Sequence, residues 1–198
     1  MSAATPMRPL AAIVIGASTG GVEALLQILP ALRADAMVSV LVVLHLPRER
    51  SSLLAEIFAP RCRLPVRDVQ DKDPVLDGTI YFAPPDYHLL VDDGPSLALS
   101  MDPPVEYSRP SVSVLFESAA AVYGPRLLAV LLTGAGSDGA SGLQAVQRAG
   151  GMTVVQQPAS ARMPQMPEAA LARVTADHVL TLEDIMSLFE ALPCGVCA

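Results

Sequence analysis

The chain has 198 residues, a formal net charge of −7 and a pI near 4.8, so non-specific binding to nucleic acid or to anionic membranes is not expected. Its length suits one domain that buries roughly 70% of its unfolded surface. Aromatic residues make up 4% and tryptophan is absent, which favours the aliphatic core of a parallel sheet covered by helices. The strongest apolar runs, at 38–46 and 127–132, are far shorter than the ~20 residues that span a bilayer, so no membrane insertion is predicted.

Strand and helix patterns alternate along the chain. The predicted strands are 11–15, 38–44, 66–69, 79–83, 127–132, 152–155 and 178–180, with a hairpin of 88–91 and 97–100. The predicted helices are 21–32, 52–59, 110–123, 141–149, one through Ala172 with Pro167 in its first turn, and one from the cap Thr181 to about Leu192. This order predicts an α/β fold with a doubly wound, mainly parallel sheet flanked by helices and a β-hairpin appendage. We expect a single domain over 10–192 with tails at 1–9 and 193–198.

The N-terminal segment and the cysteines indicate the compartment. The apolar stretch 10–15 after Arg8 faintly resembles a signal peptide, but cleavage behind it would discard the first predicted strand, so we reject that interpretation. Cys62 is isolated. Cys194 and Cys197 form a terminal CxxC with only two of the four ligands that a structural zinc needs, so we interpret it as a frayed tail. We expect a reduced, cytoplasmic protein.

A sharp strand-to-helix turn follows the first predicted strand. Gly16, Ser18 and Gly20 form the G-x-S-x-G pattern that exposes a nucleophilic serine above a sheet. The unpaired N–H groups at the start of the next helix favour developing negative charge there. The alternative is a glycine-rich turn that only packs or holds a phosphate.

Two further strand ends carry groups that such a serine needs. His45 follows the second predicted strand, and Asp138 follows the strand 127–132. Sites in doubly wound folds collect at the carboxyl ends of strands, so Ser18, His45 and Asp138 are predicted to form a hydrolytic triad. The alternatives are a core histidine at His45 and a cap of the following helix at Asp138. His88, on the hairpin, is the rival base.

Five segments resemble, in order and in register, the motifs of one family. They are GASTGG at 16–21, LHLP at 44–47, IYFAPPDYH at 80–88, SRPSVSVLF at 108–116 and LTGAGSDGA at 132–140. The family is the catalytic domain of the bacterial chemotaxis protein-glutamate methylesterases, CheB, and the resemblance covers about residues 10–192. It implies hydrolysis of γ-glutamyl methyl esters on the cytoplasmic helices of methyl-accepting chemoreceptors, with deamidation of glutamines in many members, and no metal or cofactor.

The resemblance also implies residue roles. Ser18 is the expected nucleophile, His45 the general base and acid, and Asp138 the carboxylate that orients His45. These are the residues that strand-end placement selects independently.

The expected mechanism also requires groups around the ester. The N–H of Thr19 and the loop with Ala135 and Gly136 are expected to bind the oxyanion. Arg109 is a candidate for holding the receptor segment, with a solvated surface arginine as the alternative.

The chain departs from the family pattern in three places. Ala135 stands where the family commonly has methionine, and the loop 156–167 carries Pro158 and then Pro164-Gln165 where the family tends to have an acidic residue and Phe-Gly. Only about ten residues precede the first predicted strand. We therefore expect no receiver domain, in either a free-standing esterase or a catalytic fragment.

Two other functions remain open from the sequence. One keeps the triad and changes the substrate to another ester. The other is a non-catalytic sensory module that binds a partner or a nucleotide through the same turn, although Gly16-x-x-x-Gly20 lacks the dinucleotide-binding spacing.

Overall fold

The computed structural model describes residues 10–46, 53–94 and 96–192. Some sequence predictions fall on other residues: Pro47 in the second motif, Ser52 at the start of a predicted helix, Pro95 in the hairpin turn, and the tails with Cys194 and Cys197. Those predictions lie outside the described residues.

The described residues form strands and helices close to the predicted ones. The strands are β1 Ala12–Ala17, β2 Ser39–Leu44, β3 Val66–Asp68, β4 Ile80–Phe82, β5 His88–Asp92, β6 Ser96–Ser100, β7 Leu127–Leu131, β8 Met152–Gln156 and β9 His178–Leu180. The helices are α1 Gly21–Ile28, α2 Leu54–Phe58, α3 Val112–Tyr123, α4 Ala140–Arg148, α5 Gln165–Arg173 and α6 Leu182–Glu190. The helix predicted at 21–32 ends earlier, and a 3-10 turn, Leu29–Ala31, follows it.

The seven strands other than β5 and β6 form one sheet in which every pair of neighbours is parallel. Its order is β3-β4-β2-β1-β7-β8-β9, so β2, β3 and β4 lie on one side of β1 and β7, β8 and β9 lie on the other. The strand order changes direction between β1 and β7, which is where open α/β sheets form their binding crevice. The predicted doubly wound, mainly parallel sheet is confirmed.

Both faces of the sheet are covered, which explains why β1, β2 and β7 are apolar and buried along their whole length. One core lies under α1, α2 and α6, and a second lies under α3, α4, α5 and the hairpin. The capping residue predicted for the last helix is confirmed: the Thr181 hydroxyl accepts from the Asp184 N–H, and the Asp184 carboxylate bonds back to Thr181.

The antiparallel pair β5–β6 forms the predicted hairpin, but it packs closely on the domain. Leu89 and Leu97 are fully buried, and the Val91 N–H donates to the Ser118 hydroxyl of α3 at 3.1 Å. The longest described helix has 12 residues, and no helix in the described ranges has the length and apolar character needed to cross a bilayer.

Candidate active site

Strand register sets Ser18 and His45 side by side. β1 and β2 are paired up to Ala17 and Leu44, so the next residues are Ser18 and His45. The His45 N–H continues the ladder by donating to the Ala17 carbonyl at 3.1 Å, and facing strands lie about 4.8 Å apart. Among the described residues, the Ser18 hydroxyl has no hydrogen-bond partner, so the structure brings the two residues together without a bond between their side chains.

His45 and Asp138 are in direct contact across 93 positions of the sequence. The distance from His45 Nε2 to Asp138 Oδ2 is 2.9 Å. The imidazole is 18% exposed, whereas the carboxylate is 3% exposed. The histidine is therefore accessible from solvent and its carboxylate partner is buried behind it.

The Asp138 carboxylate also sits at the N-terminus of α3. The Ser111 hydroxyl donates to Oδ1 at 2.8 Å, and the N–H groups of Val112 and Ser113 donate at 2.7 and 3.0 Å. The alternative that Asp138 caps the following helix is wrong, because α4 has Gly139 at its N-cap and no side-chain cap. The carboxylate instead satisfies the orphan donors of an earlier helix, where negative charge is favoured.

These contacts decide the charge of Asp138 and the tautomer of His45. Burial, the largest single effect, raises the pKa of Asp138, but the hydrogen bonds from His45, Ser113 and Val112, with the charge interaction with His45, lower that pKa below its ordinary value. An ionised carboxylate can only accept, so the proton of the neutral imidazole lies on Nε2. Nδ1 is then the nitrogen that can accept a proton.

Two glycines make room for the start of α3. A Cβ at Gly16 would lie 2.2 Å from Val112 Cγ1, and a Cβ at Gly139 would lie 2.9 Å from the same atom. Gly20, at the N-cap of α1, has a positive φ of 83°. In the G-x-S-x-G motif, Gly16 is therefore required by its close packing against Val112, and Gly20 is required by its backbone conformation.

The loop after β7 lies against the turn that carries Ser18. The Ser18 N–H donates to the Thr133 carbonyl at 3.0 Å, and a Cβ at Gly134 would lie 2.8 Å from Ser18 Cβ. Thr19, Ala135 and Gly136 are all exposed beside it, and Gly136 has a φ of 100°. The structure therefore brings the expected oxyanion-binding segments to the same edge of the sheet.

A cleft of about 150 Å³ opens beside the imidazole. The described residues that line it are His45, Leu46, Tyr107, Ser108, Arg109 and Pro110. Arg109 is only 14% exposed, so it is not a solvated surface arginine. Its guanidinium donates to Asp86 Oδ1 at 3.0 and 2.8 Å and to the carbonyls of Met101 and Asp102 at 2.7 and 3.1 Å. Contact of Arg109 with a substrate stays a prediction.

His88, the rival base, is 1% exposed and engaged on both ring nitrogens. Nδ1 accepts from the Ser111 N–H at 3.2 Å, and Nε2 lies 3.2 Å from the Pro103 carbonyl oxygen. His88 therefore supports the segment that holds Asp138 and does not face the cleft.

Sequence reasoning missed Ser111 and Thr133 as parts of the site. Ser111 was predicted only to open a helix, and its bond to Asp138 is a tertiary contact that periodicity does not reveal. The signal available was their position inside two of the five quoted motifs.

Comparison with known proteins identifies the family. The family model described as CheB methylesterase matches residues 13–189. A Leptospira interrogans protein, provisionally named protein-glutamate methylesterase/protein-glutamine glutaminase, is 39% identical over 91% of this chain and 94% of its own length. Protein-glutamate methylesterase/protein-glutamine glutaminase 1 of Anaeromyxobacter dehalogenans is 44% identical over 88% of this chain. The alignment covers 50% of that protein, so the chain spans about half of its length.

A solved structure agrees with these relatives. The crystal structure of the Thermotoga maritima CheB methylesterase catalytic domain superposes with a TM-score of 0.84 at 30% identity. The match covers 91% of this chain and 100% of that one. Sequence, fold and strand-end chemistry lead to one conclusion: the chain belongs to the CheB methylesterase family.

Proposed function

We propose that this chain is a serine hydrolase that demethylates glutamyl methyl esters on the cytoplasmic helices of a methyl-accepting chemoreceptor or a related sensory protein. It acts in the cytoplasm through Ser18, His45 and Asp138. The observation that carries the proposal is the 2.9 Å contact between His45 and a buried, ionised Asp138, directly beside Ser18 on the neighbouring strand end. The names of the relatives support both ester hydrolysis and deamidation of glutamine.

The reaction proceeds through an acyl-enzyme. Ser18 Oγ attacks the ester carbonyl carbon and its proton passes to His45 Nδ1, while Nε2–H stays bonded to Asp138. The tetrahedral intermediate collapses, and methoxide leaves as methanol with the proton from Nδ1. Water then attacks the acyl-enzyme with His45 again as base, which releases glutamate and restores Ser18. A glutamine substrate follows the same steps with ammonia as the leaving group.

Peptide geometry supports two N–H groups as oxyanion donors. The Ser18 carbonyl accepts from the Gly21 N–H at 2.8 Å, so the Thr19 N–H of the same trans peptide is directed the opposite way. The Gly134 carbonyl accepts from the Met166 N–H at 3.0 Å, so the Ala135 N–H of the same peptide is directed away from Met166. An alanine at this position keeps the backbone donor that the reaction needs.

The decisive test combines a fluorophosphonate probe with methanol release from a methylated receptor of the same organism. Ser18→Ala should lose the label and reduce turnover by at least about 10³-fold. Ser187→Ala is the matched control, because its hydroxyl bonds to the Glu183 carbonyl on an exposed face of α6.

The other outcomes of this test either support one of the alternative functions or contradict the mechanism. Labelling of Ser18 with hydrolysis of small esters but no methanol from any receptor would assign another ester as substrate. Absence of labelling and of turnover in the wild-type chain would support the non-catalytic module. A Ser18→Ala variant with nearly wild-type turnover would contradict the mechanism.

A further inference from the structure

Thr133 follows Leu132, just after the end of β7. It connects the separate segments of the site. It is 2% exposed. Its backbone carbonyl accepts from Ser18 N–H at 3.0 Å, and its N–H donates to Gln156 Oε1 at 2.8 Å. Its hydroxyl donates to the Thr19 carbonyl at 3.0 Å and accepts from the Met163 N–H at 2.9 Å. One buried side chain therefore bonds to both the nucleophile turn and the loop before α5.

The bond to Thr19 constrains the first expected oxyanion donor. The peptide before Thr19 is fixed by the bond from Gly21 N–H to the Ser18 carbonyl. The peptide after Thr19 is fixed by the Thr133 hydroxyl. Because each peptide is planar, the first bond sets the direction of the Thr19 N–H, and the Thr133 hydroxyl, by holding the adjacent Thr19 carbonyl, limits rotation of the Thr19 backbone.

The bond to Met163 constrains the second expected donor. The Gly134 N–H donates to the Met163 carbonyl, and the Gly134 carbonyl accepts from the Met166 N–H, both at 3.0 Å. This pair of bonds orients the peptide that carries the Ala135 N–H. The Thr133 hydroxyl also holds this segment, because it accepts a hydrogen bond from the Met163 N–H.

We propose that Thr133 is a positioning residue whose hydroxyl aligns the N–H groups of Thr19 and Ala135 with each other and with Ser18. It touches no substrate atom and transfers no proton. The inference rests on the proposed role of Ser18 as nucleophile. It also assigns a function to the 163–166 segment, in which this sequence departs from the family pattern.

The test replaces the hydroxyl while keeping the shape of the side chain. Thr133→Val should lower kcat for a glutamyl methyl ester by about 10²-fold with KM unchanged, because misaligned donors weaken binding of the oxyanion and not of the ester ground state. Thr133→Ser keeps the hydroxyl and should stay within about threefold of wild type. Thr133→Cys, with a weak S–H donor, should lose at least about tenfold and serves if the valine variant does not fold.

Thr153→Val is the matched control. Thr153 is fully buried in β8, donates its hydroxyl to Asp177 Oδ2 at 2.7 Å and accepts from the Asp177 N–H at 3.0 Å. The Thr153→Val variant loses the same kind of hydrogen bonds at a position outside the site. Its melting temperature should therefore fall while its kcat stays within twofold of wild type.

The outcomes separate this inference from the proposed function. If Ser18→Ala is inactive and Thr133→Val (or Thr133→Cys, where valine prevents folding) keeps kcat within twofold of wild type, Thr133 has no positioning role and the nucleophile assignment stands. An equal loss of kcat in Thr153→Val would also overturn the inference, because the effect would then be one of stability. An active Ser18→Ala variant would refute the proposed function itself.

Discussion

The carboxylate of Asp138 receives hydrogen bonds from one imidazole, one hydroxyl and two backbone N–H groups. Three of these four donors belong to the start of α3, so the residue is both a helix cap and the expected partner of His45. Hydrogen bonds to charged groups contribute more to stability than neutral ones, about 1.5–3 kcal/mol each. Both the activity and the stability of the chain should therefore depend on Asp138.

Asp138→Asn should reduce kcat by about 10³- to 10⁴-fold, because an amide can hold the wrong tautomer of His45 and cannot stabilise the imidazolium. It should also lower the free energy of unfolding at pH 7 by about 1–3 kcal/mol. The folded-state pKa of Asp138 lies below its ordinary value, so the charged group stabilises the fold above about pH 4. That contribution is lost as the pH falls below about 4 and through the folded-state pKa.

Urea unfolding of both proteins between pH 3 and pH 7 measures this dependence. The stability difference between wild type and Asp138→Asn should be constant above about pH 5 and should shrink below pH 4. Asp93→Asn, in the exposed hairpin turn, is the control and should show no such trend. A stability difference between the two proteins that grows as the pH falls would contradict the prediction, because it has the wrong sign for a carboxylate that stabilises the fold in its charged form.

At the scale of single residues, the sequence indicated the candidate catalytic residues but not the residues that hold them in place. Ser18, His45 and Asp138 could be selected because each follows a recognisable strand end. Ser111 and Thr133 could not, because a hydroxyl reveals nothing of its partner until the fold brings a residue 27 or 114 positions away into contact.

Among the elements, α3 determines the geometry of the site. Its first residue, Val112, is fully buried, bonds through its N–H to Asp138 and packs against Gly16 of β1. The sequence predicted the start of this helix correctly from Pro110 and Ser111. Nothing in the sequence placed that start between β1 and the loop that carries Asp138.

A double-mutant cycle tests this packing. Gly16→Ala should destabilise the fold by about 1–3 kcal/mol, because the new Cβ would lie 2.2 Å from Val112 Cγ1. Val112→Ala removes the obstructing methyl groups, so the double variant should be more stable than the sum of the two single changes predicts. Unfolding free energies of the four proteins measure the coupling. Simple additivity would mean that the glycine is not required by contact with Val112.

At the scale of the whole molecule, the fold class was predictable from the sequence, whereas the strand order and the packing of the hairpin were not. Apolar runs at regular spacing indicated parallel strands between helices, and the sheet has that form. Strand order depends on which faces the helices cover, and the close packing of the hairpin on α3 depends on shape, so neither could be read from periodicity. The hairpin is an integral part of the domain, because Leu89 and Leu97 are fully buried in the core that includes α3.

The proposed function requires the surface around the cleft to accommodate a protein substrate. The cleft is small, at about 150 Å³, so on the proposed function we expect the segment that carries the ester to contact residues around its rim as well. Tyr107 borders the cleft and is 100% exposed. It sits with Glu106 at the tip of a two-residue turn in which both residues have positive φ, at 64° and 47°. The turn is held by the Ser137 hydroxyl, which donates to the Glu106 carboxylate at 2.6 Å.

Tyr107→Ala should therefore change function without changing the fold. A fully exposed side chain contributes little to folding, so the free energy of unfolding should change by less than about 0.5 kcal/mol. Loss of an aromatic contact should raise KM for a methylated receptor about tenfold and leave hydrolysis of a small glutamyl ester within twofold. Met37→Ala, at an exposed residue just before β2 and so at the opposite edge of the sheet, is the control and should alter neither. An equal loss with both substrates would instead place Tyr107 in the chemistry of the cleft, and unchanged kinetics with both would remove it from substrate recognition.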